Sequence, residues 1–184
     1  MLCTPAIPKT EMGDLMDAVE ILNKVKNNEM SVEDAARFFK KQPYEELGFA
    51  KLDSHREIRS GFPEVIFCAG KPDAYLSDIY CKMYDLYGEV FGTRADRHQY
   101  ELVREKIPEI TYDEISHILK YEKPDKKRIG SIAVCTAGTA DIPIAEEAAQ
   151  TAEFFGSRVQ RFYDVGVSGI HRLLSKAEEI QSAN

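Results

Sequence analysis

The chain has no apolar run of the roughly 18 to 20 residues that a membrane-spanning helix requires. Its first ten residues lack the basic-then-apolar order of a secretory signal, which predicts a cytoplasmic protein with no membrane partner. Four cysteines, Cys3, Cys68, Cys81 and Cys135, lie far apart and form no C-x-x-C pair, so neither a disulfide framework nor a zinc ribbon is indicated. His55, His98, His117 and His171 are equally scattered, and no metal site is expected. Cations are in short supply: 24 Lys and Arg stand against 31 Asp and Glu, a net charge of −7 with a pI near 5.2. That balance argues against a nucleic-acid partner, and any anionic ligand must be held locally. Internal repeats, low-complexity tracts, the Gly-x-Gly-x-x-Gly dinucleotide fingerprint and the P-loop are all absent.

What is present is an ordinary globular composition. The 184 residues, 43% hydrophobic and 10% aromatic, suffice for one domain or two small ones. Residues 12–25 place Leu15, Met16, Val19, Leu22 and Val25 at helical spacing. Ser31 is a cap for a second helix whose apolar face is Val32, Ala35, Ala36, Phe38 and Phe39. Short strands are predicted at 48–53, 63–68 and 88–93, with helices at 73–87 and 96–106. A capping-box pattern at Thr111 to Glu114 predicts a further helix carrying Ile115, Ile118 and Leu119. The charged, Pro124-interrupted segment 121–128 reads as a linker, dividing the chain into domains 1–125 and 126–184.

Beyond the linker a buried strand is expected at 129–136. A helix with Pro143 in its first turn, a second strand at 158–165 and a second helix at 169–180 follow. This β-α-β-α order opens a doubly wound parallel sheet, making the whole chain α/β with a small α/β or α+β domain first. Ligands of such sheets bind at the carboxyl ends of the strands. The first candidate is therefore the turn Thr136, Ala137, Gly138, Thr139, Ala140 and Asp141, where small residues admit a phosphate and hydroxyls with a carboxylate face it. The same residues also make an ordinary helix-capping turn. A second is the turn after the next strand, with Ser168, His171 and Arg172. There an imidazole can move protons near neutral pH, or merely decorate a helix. Arg56 and Arg59, three apart, could clamp a phosphate or carboxylate, or form a solvated charged face. Cys135, inside a predicted strand, reads as an inert thiol.

Three blocks, LDSHREIRSGFPEVIFCAGK at 52–71, IAVCTAGTADIPIAEEA at 132–148 and DVGVSGIHRLL at 164–174, resemble the LarB family over residues 46 to the end. That family is the pyridinium-3,5-biscarboxylic acid mononucleotide synthase of nickel-pincer cofactor biosynthesis. The second half also resembles the aminoimidazole ribonucleotide carboxylases (PurE), which implies the start of a flavodoxin-like sheet and an octameric homo-oligomer. The resemblance implies carboxylation of nicotinic acid adenine dinucleotide by CO2 or bicarbonate and hydrolysis of its phosphoanhydride to release AMP. It implies no tightly bound cofactor and leaves room for Mg2+. Carried onto this chain, Thr136, Gly138, Thr139, Arg172, Arg56 and Arg59 bind substrate, while His171, Ser168 and Asp141 occupy catalytic turns. The family continues beyond a segment like 178–183 into further strands, a Gly-rich loop and a nucleophilic cysteine. None is found in these residues, so the expectation is a partial PurE-like domain lacking the covalent step on its own. The alternatives are a purine-biosynthetic carboxylase or mutase, which lacks the 52–71 block, and a non-catalytic nucleotide-binding or assembly fragment.

Overall fold

A computed structural model describes residues 18–40, 45–46, 51–52 and 62–183. Contacts divide the chain into two compact units, residues 5–64 and residues 65–184.

In the first unit, helices α1 (Ala18–Lys26) and α2 (Val32–Lys40) pack on each other, and strands β1 (Glu45–Glu46) and β2 (Lys51–Leu52) form an antiparallel pair. The Ser31 cap forms as expected, its hydroxyl accepting from the Asp34 amide at 3.0 Å. The face of α1 is not the expected one. Ile21 is fully buried while Val19 and Leu22 are exposed, and Leu15 and Met16 lie outside the described residues. On α2, Ala35 is buried, but Val32, Ala36 and Phe39 face solvent.

The second unit begins with β3 (Ile66–Phe67), α3 (Asp73–Tyr87) and β4 (Val90–Thr93), a β-α-β crossover whose strands pair in parallel. Helix α3 ends where Gly88 adopts a left-handed φ of 67° and donates its amide to the Tyr84 carbonyl. Its buried face is Leu76, Ile79, Tyr80, Met83 and Tyr84; Tyr75 is exposed. Helix α4 (Arg97–Arg104) starts at a full capping box between Asp96 and Gln99. Strand β5 (Thr111–Asp113) then pairs antiparallel with β6 (Ile118–Tyr121), which itself adds antiparallel to β4, in the order β3-β4-β6-β5.

The helix predicted after Thr111 is therefore a hairpin. The Asp113 carboxylate accepts from the amides of Ile115 and Ser116 and from the Ser116 hydroxyl, turning the chain. His117 completes the turn at a left-handed φ of 56°. Ile118 and Leu119, adjacent on β6, are both buried while Ile115 in the turn is exposed, so the three do not form a helical stripe.

The rest is a second β-α-β unit: β7 (Ile129–Cys135), α5 (Ile142–Phe154) and β8 (Ser157–Phe162), with β7 and β8 parallel. Strand β7 is not buried as expected. Ile129 is 75% exposed, because β8 is its sole strand partner among the described residues. The predicted helix over 169–180 is broken into α6 (Ile170–Leu174) and α7 (Ala177–Gln181), with Lys176 at non-helical φ and ψ between them. Phe154 at the end of α5 packs with Phe91 and Ile118 of the first sheet, joining the two sheets through one core. The fold is thus mixed α/β with parallel and antiparallel strands, and among the described residues no helix is long and apolar enough to cross a membrane.

Candidate functional site at the carboxyl ends of the parallel strands

Because β7 and β8 run parallel, the turns that follow them emerge at the same edge. Backbone pairing continues past both strands and fastens the turns together. The Thr136 amide donates to the Phe162 carbonyl at 3.0 Å, Val165 donates to Thr136 at 2.9 Å, and Gly166 donates to Ala137 at 3.0 Å. The Thr136 side chain adds a fourth link, its hydroxyl accepting from the Asp164 amide at 3.1 Å. Thr136 is buried, so its hydroxyl serves the neighbouring turn. Gly166 is required by closeness: a Cβ there would stand 2.5 Å from the Ala137 carbonyl oxygen, a backbone atom that cannot yield.

In the first turn Gly138 is extended, and its amide donates to the Asp141 carboxylate at 3.2 Å. A short 3-10 turn, Thr139–Asp141, leads into α5, with Pro143 in the first helical turn as expected. Thr139 and Asp141 are exposed. In the second turn Asp164 holds a left-handed φ of 58° and its carboxylate pairs with the Arg172 guanidinium. Ser168 lies in the 3-10 turn Val167–Gly169 and is exposed, as is His171.

A cleft of about 520 Å3 opens beside the end of β8, with Arg161, Tyr163, Asp164, His171, Arg172 and Lys176 among its lining residues. It gathers two of the sequence-predicted residues, His171 and Arg172. Thr136, Gly138, Thr139, Asp141 and Ser168 do not line it. Arg56 and Arg59 lie outside the described residues.

Sequence reasoning missed the charged support beneath this cleft. The Arg161 guanidinium forks onto Glu153 at 2.6 and 2.9 Å and donates from Nε to Glu146 at 3.0 Å. Tyr163 donates its hydroxyl to the same Glu146, and burial with that bond pushes the phenol up to about 12. Glu146 and Glu153 are seven apart, two helical turns, which places them on one face of α5. Arg161 in β8 and Tyr163, one residue past its end, are two apart, the spacing that puts side chains on one face of an extended chain. That double periodicity was the available signal.

The hydrogen bonds from Arg161 hold the Glu153 carboxyl below its ordinary value of 4.5, against the opposing effect of burial. A depressed carboxylate contributes stability above its unfolded value and loses it as pH falls through the folded one. Melting temperature is therefore expected to fall with acidification below about pH 4.5. Glu153→Gln should be less stable at pH 7 and show a flatter acid limb in melts from pH 7 to pH 3. An unchanged acid limb would refute the assignment.

Residues 44–123, from β1 through β6, match the family model described as the LarB/PurE-like N-terminal domain. The uncharacterized protein MJ0165 of Methanocaldococcus jannaschii is 32% identical over 164 residues, covering 84% of this chain and 63% of that protein. The chain thus spans a little under two thirds of the length of the curated relative it matches. Residues 44–123 are thus similar to the LarB/PurE-like N-terminal domain and include the 52–71 block, while the blocks at 132–148 and 164–174 lie outside that match.

Proposed function

We propose that this chain is the nucleotide-holding part of a LarB-type carboxylase. The reaction carboxylates the pyridinium ring of nicotinic acid adenine dinucleotide and hydrolyses its phosphoanhydride to release AMP. The observation that carries the reading is the pair of fastened turns, with His171 and Arg172 in one cleft beside them, in a chain with a LarB/PurE-like N-terminal domain.

The chemistry explains why such a site is useful. A pyridinium ring is electron-poor and does not attack CO2, so a thiolate first adds to the ring and makes an enamine-like carbon. That carbon bonds to CO2, and loss of the ring proton and the thiolate then restores aromaticity. A water molecule separately splits the phosphoanhydride. In this chain Arg172 and the turn amides hold phosphate, and His171 sits where a ring or water proton can be moved. Cys135 is exposed at the end of β7 and is not assigned the nucleophile's role. The reading uses CO2 or bicarbonate as co-substrate, tolerates Mg2+ and needs no tightly bound cofactor.

Titration calorimetry tests it. The chain should bind nicotinic acid adenine dinucleotide, and His171→Ala or Asp141→Ala should each weaken binding by about tenfold, the effect of losing one hydrogen bond to a charged group. Binding of aminoimidazole ribonucleotide with no response to the dinucleotide would replace this reading with the purine-biosynthetic one. Full affinity in both variants would overturn the site.

A further inference from the structure

The Arg172 guanidinium, which the proposed site offers to phosphate, is already occupied by a carboxylate of its own turn. Asp164 contacts it across the cleft wall, eight residues back along the chain. The backbone at Asp164 is held in the left-handed region at φ 58°, where Asp and Asn are the non-glycine residues most readily accommodated. Its amide is fastened to the Thr136 hydroxyl, so the backbone that carries the carboxylate is held rather than swinging on a free loop. Gly169 also makes room for the guanidinium: a Cβ there would stand 2.6 Å from Arg172 Nε and 3.1 Å from Cζ. Gly169 has a φ of −128°, so its lack of a side chain serves the close approach and not a backbone conformation. The other cations lining the cleft are likewise paired, Arg161 with Glu146 and Glu153, and Lys176 with Glu179 at 2.7 Å.

Building on the proposed nucleotide site, we infer that Asp164 is a specificity-determining residue, an internal counter-anion that an incoming ligand must displace from Arg172. A tethered carboxylate competes at an effective concentration in the millimolar range. A ligand carrying one carboxylate offers the guanidinium nothing that Asp164 does not. A phosphate monoester or diphosphate carries more charge and more acceptor oxygens and wins the exchange. The cleft thereby admits phosphate-bearing ligands and turns away simple carboxylates.

The test follows the Arg172 side-chain Nε–H by NMR while the full chain is titrated separately with inorganic phosphate and with acetate. The wild type should respond to phosphate and barely to acetate. Asp164→Asn keeps the left-handed preference but removes the charge, and should tighten phosphate binding by roughly threefold, the scale of a half-exposed ion pair. It should also narrow the preference for phosphate over acetate. Gly169→Ala crowds the guanidinium without altering charge, and should weaken both ligands together while leaving the preference intact. An unchanged ratio in Asp164→Asn overturns the inference, as does a wild-type response equal for both anions. Failure of the nucleotide site itself would show separately, as dinucleotide binding indifferent to Arg172→Ala.

Discussion

Gly92→Ala should be among the most destabilising single-methyl additions in this chain, costing about 3 kcal/mol by overpacking and by disturbing a buried hydrogen bond. Gly92 sits in β4 between two strand partners, level with Ile66 on one side and Leu119 on the other. Tyr80 of α3 is fully buried against it, donating its hydroxyl to the Leu119 carbonyl at 3.1 Å and lying 3.3 Å from the Cys68 thiol. A Cβ at Gly92 would fall 1.9 Å from the Tyr80 oxygen and 2.9 Å from Cys68 Sγ. Neither neighbour can withdraw, because both are enclosed; the same burial pushes the Cys68 thiol up to about 11 and the Tyr80 phenol well above its usual range. Urea unfolding would measure the loss. Tyr80→Phe removes the worst contact, so the double variant should be more stable than Gly92→Ala alone. A single variant within roughly 0.5 kcal/mol of wild type would show that the helix can lift from the sheet at little cost.

Phe154→Ala should cost about 3 to 5 kcal/mol, the range for truncating an enclosed aromatic ring. Phe154 is 1% exposed, with its ring centroid 4.6 Å from that of Phe91 and 5.5 Å from that of Phe155. The Lys126 ammonium lies 4.0 Å from the ring centroid while both oxygens of Glu89 hold it at 2.8 Å. The ring joins the four-stranded sheet to the β7–β8 pair, so its loss should do more than lower the unfolding midpoint. Amide exchange in β7 and β8 should accelerate more than exchange in β4 and β6, since the pair has little other apolar cover on its open side. Uniform acceleration across both sheets would mean that the core is shared by other contacts. Phe154→Leu should restore most of the stability.

These particulars show what the sequence could convey. Helix α3 was legible to the residue because Pro72 and Gly88 bracket it and its apolar positions repeat at helical spacing. The turn after Thr111 was not, because an acidic residue near Ser and Glu serves a cap and an Asx-turn equally well. The choice between them depended on β4 being available to pair with β6. The stripe on α1 was read with the wrong side inward, since periodicity gives the spacing of a face and not which face meets a neighbour. At the site, the small residues after each parallel strand announced two turns at one edge. The work of Thr136 as a fastener, and of Glu146 and Glu153 beneath Arg161, depends on strand register and on the rotation of α5, which no local pattern contains.

Cys135 is a free, exposed thiol one residue before the first of the fastened turns, whereas the free thiol of Cys68 is enclosed. A maleimide dye or spin label attached there would report from the rim of the site itself. Ligand arrival at the turns could then be followed as a change in emission or probe mobility, with no residue of the cleft altered.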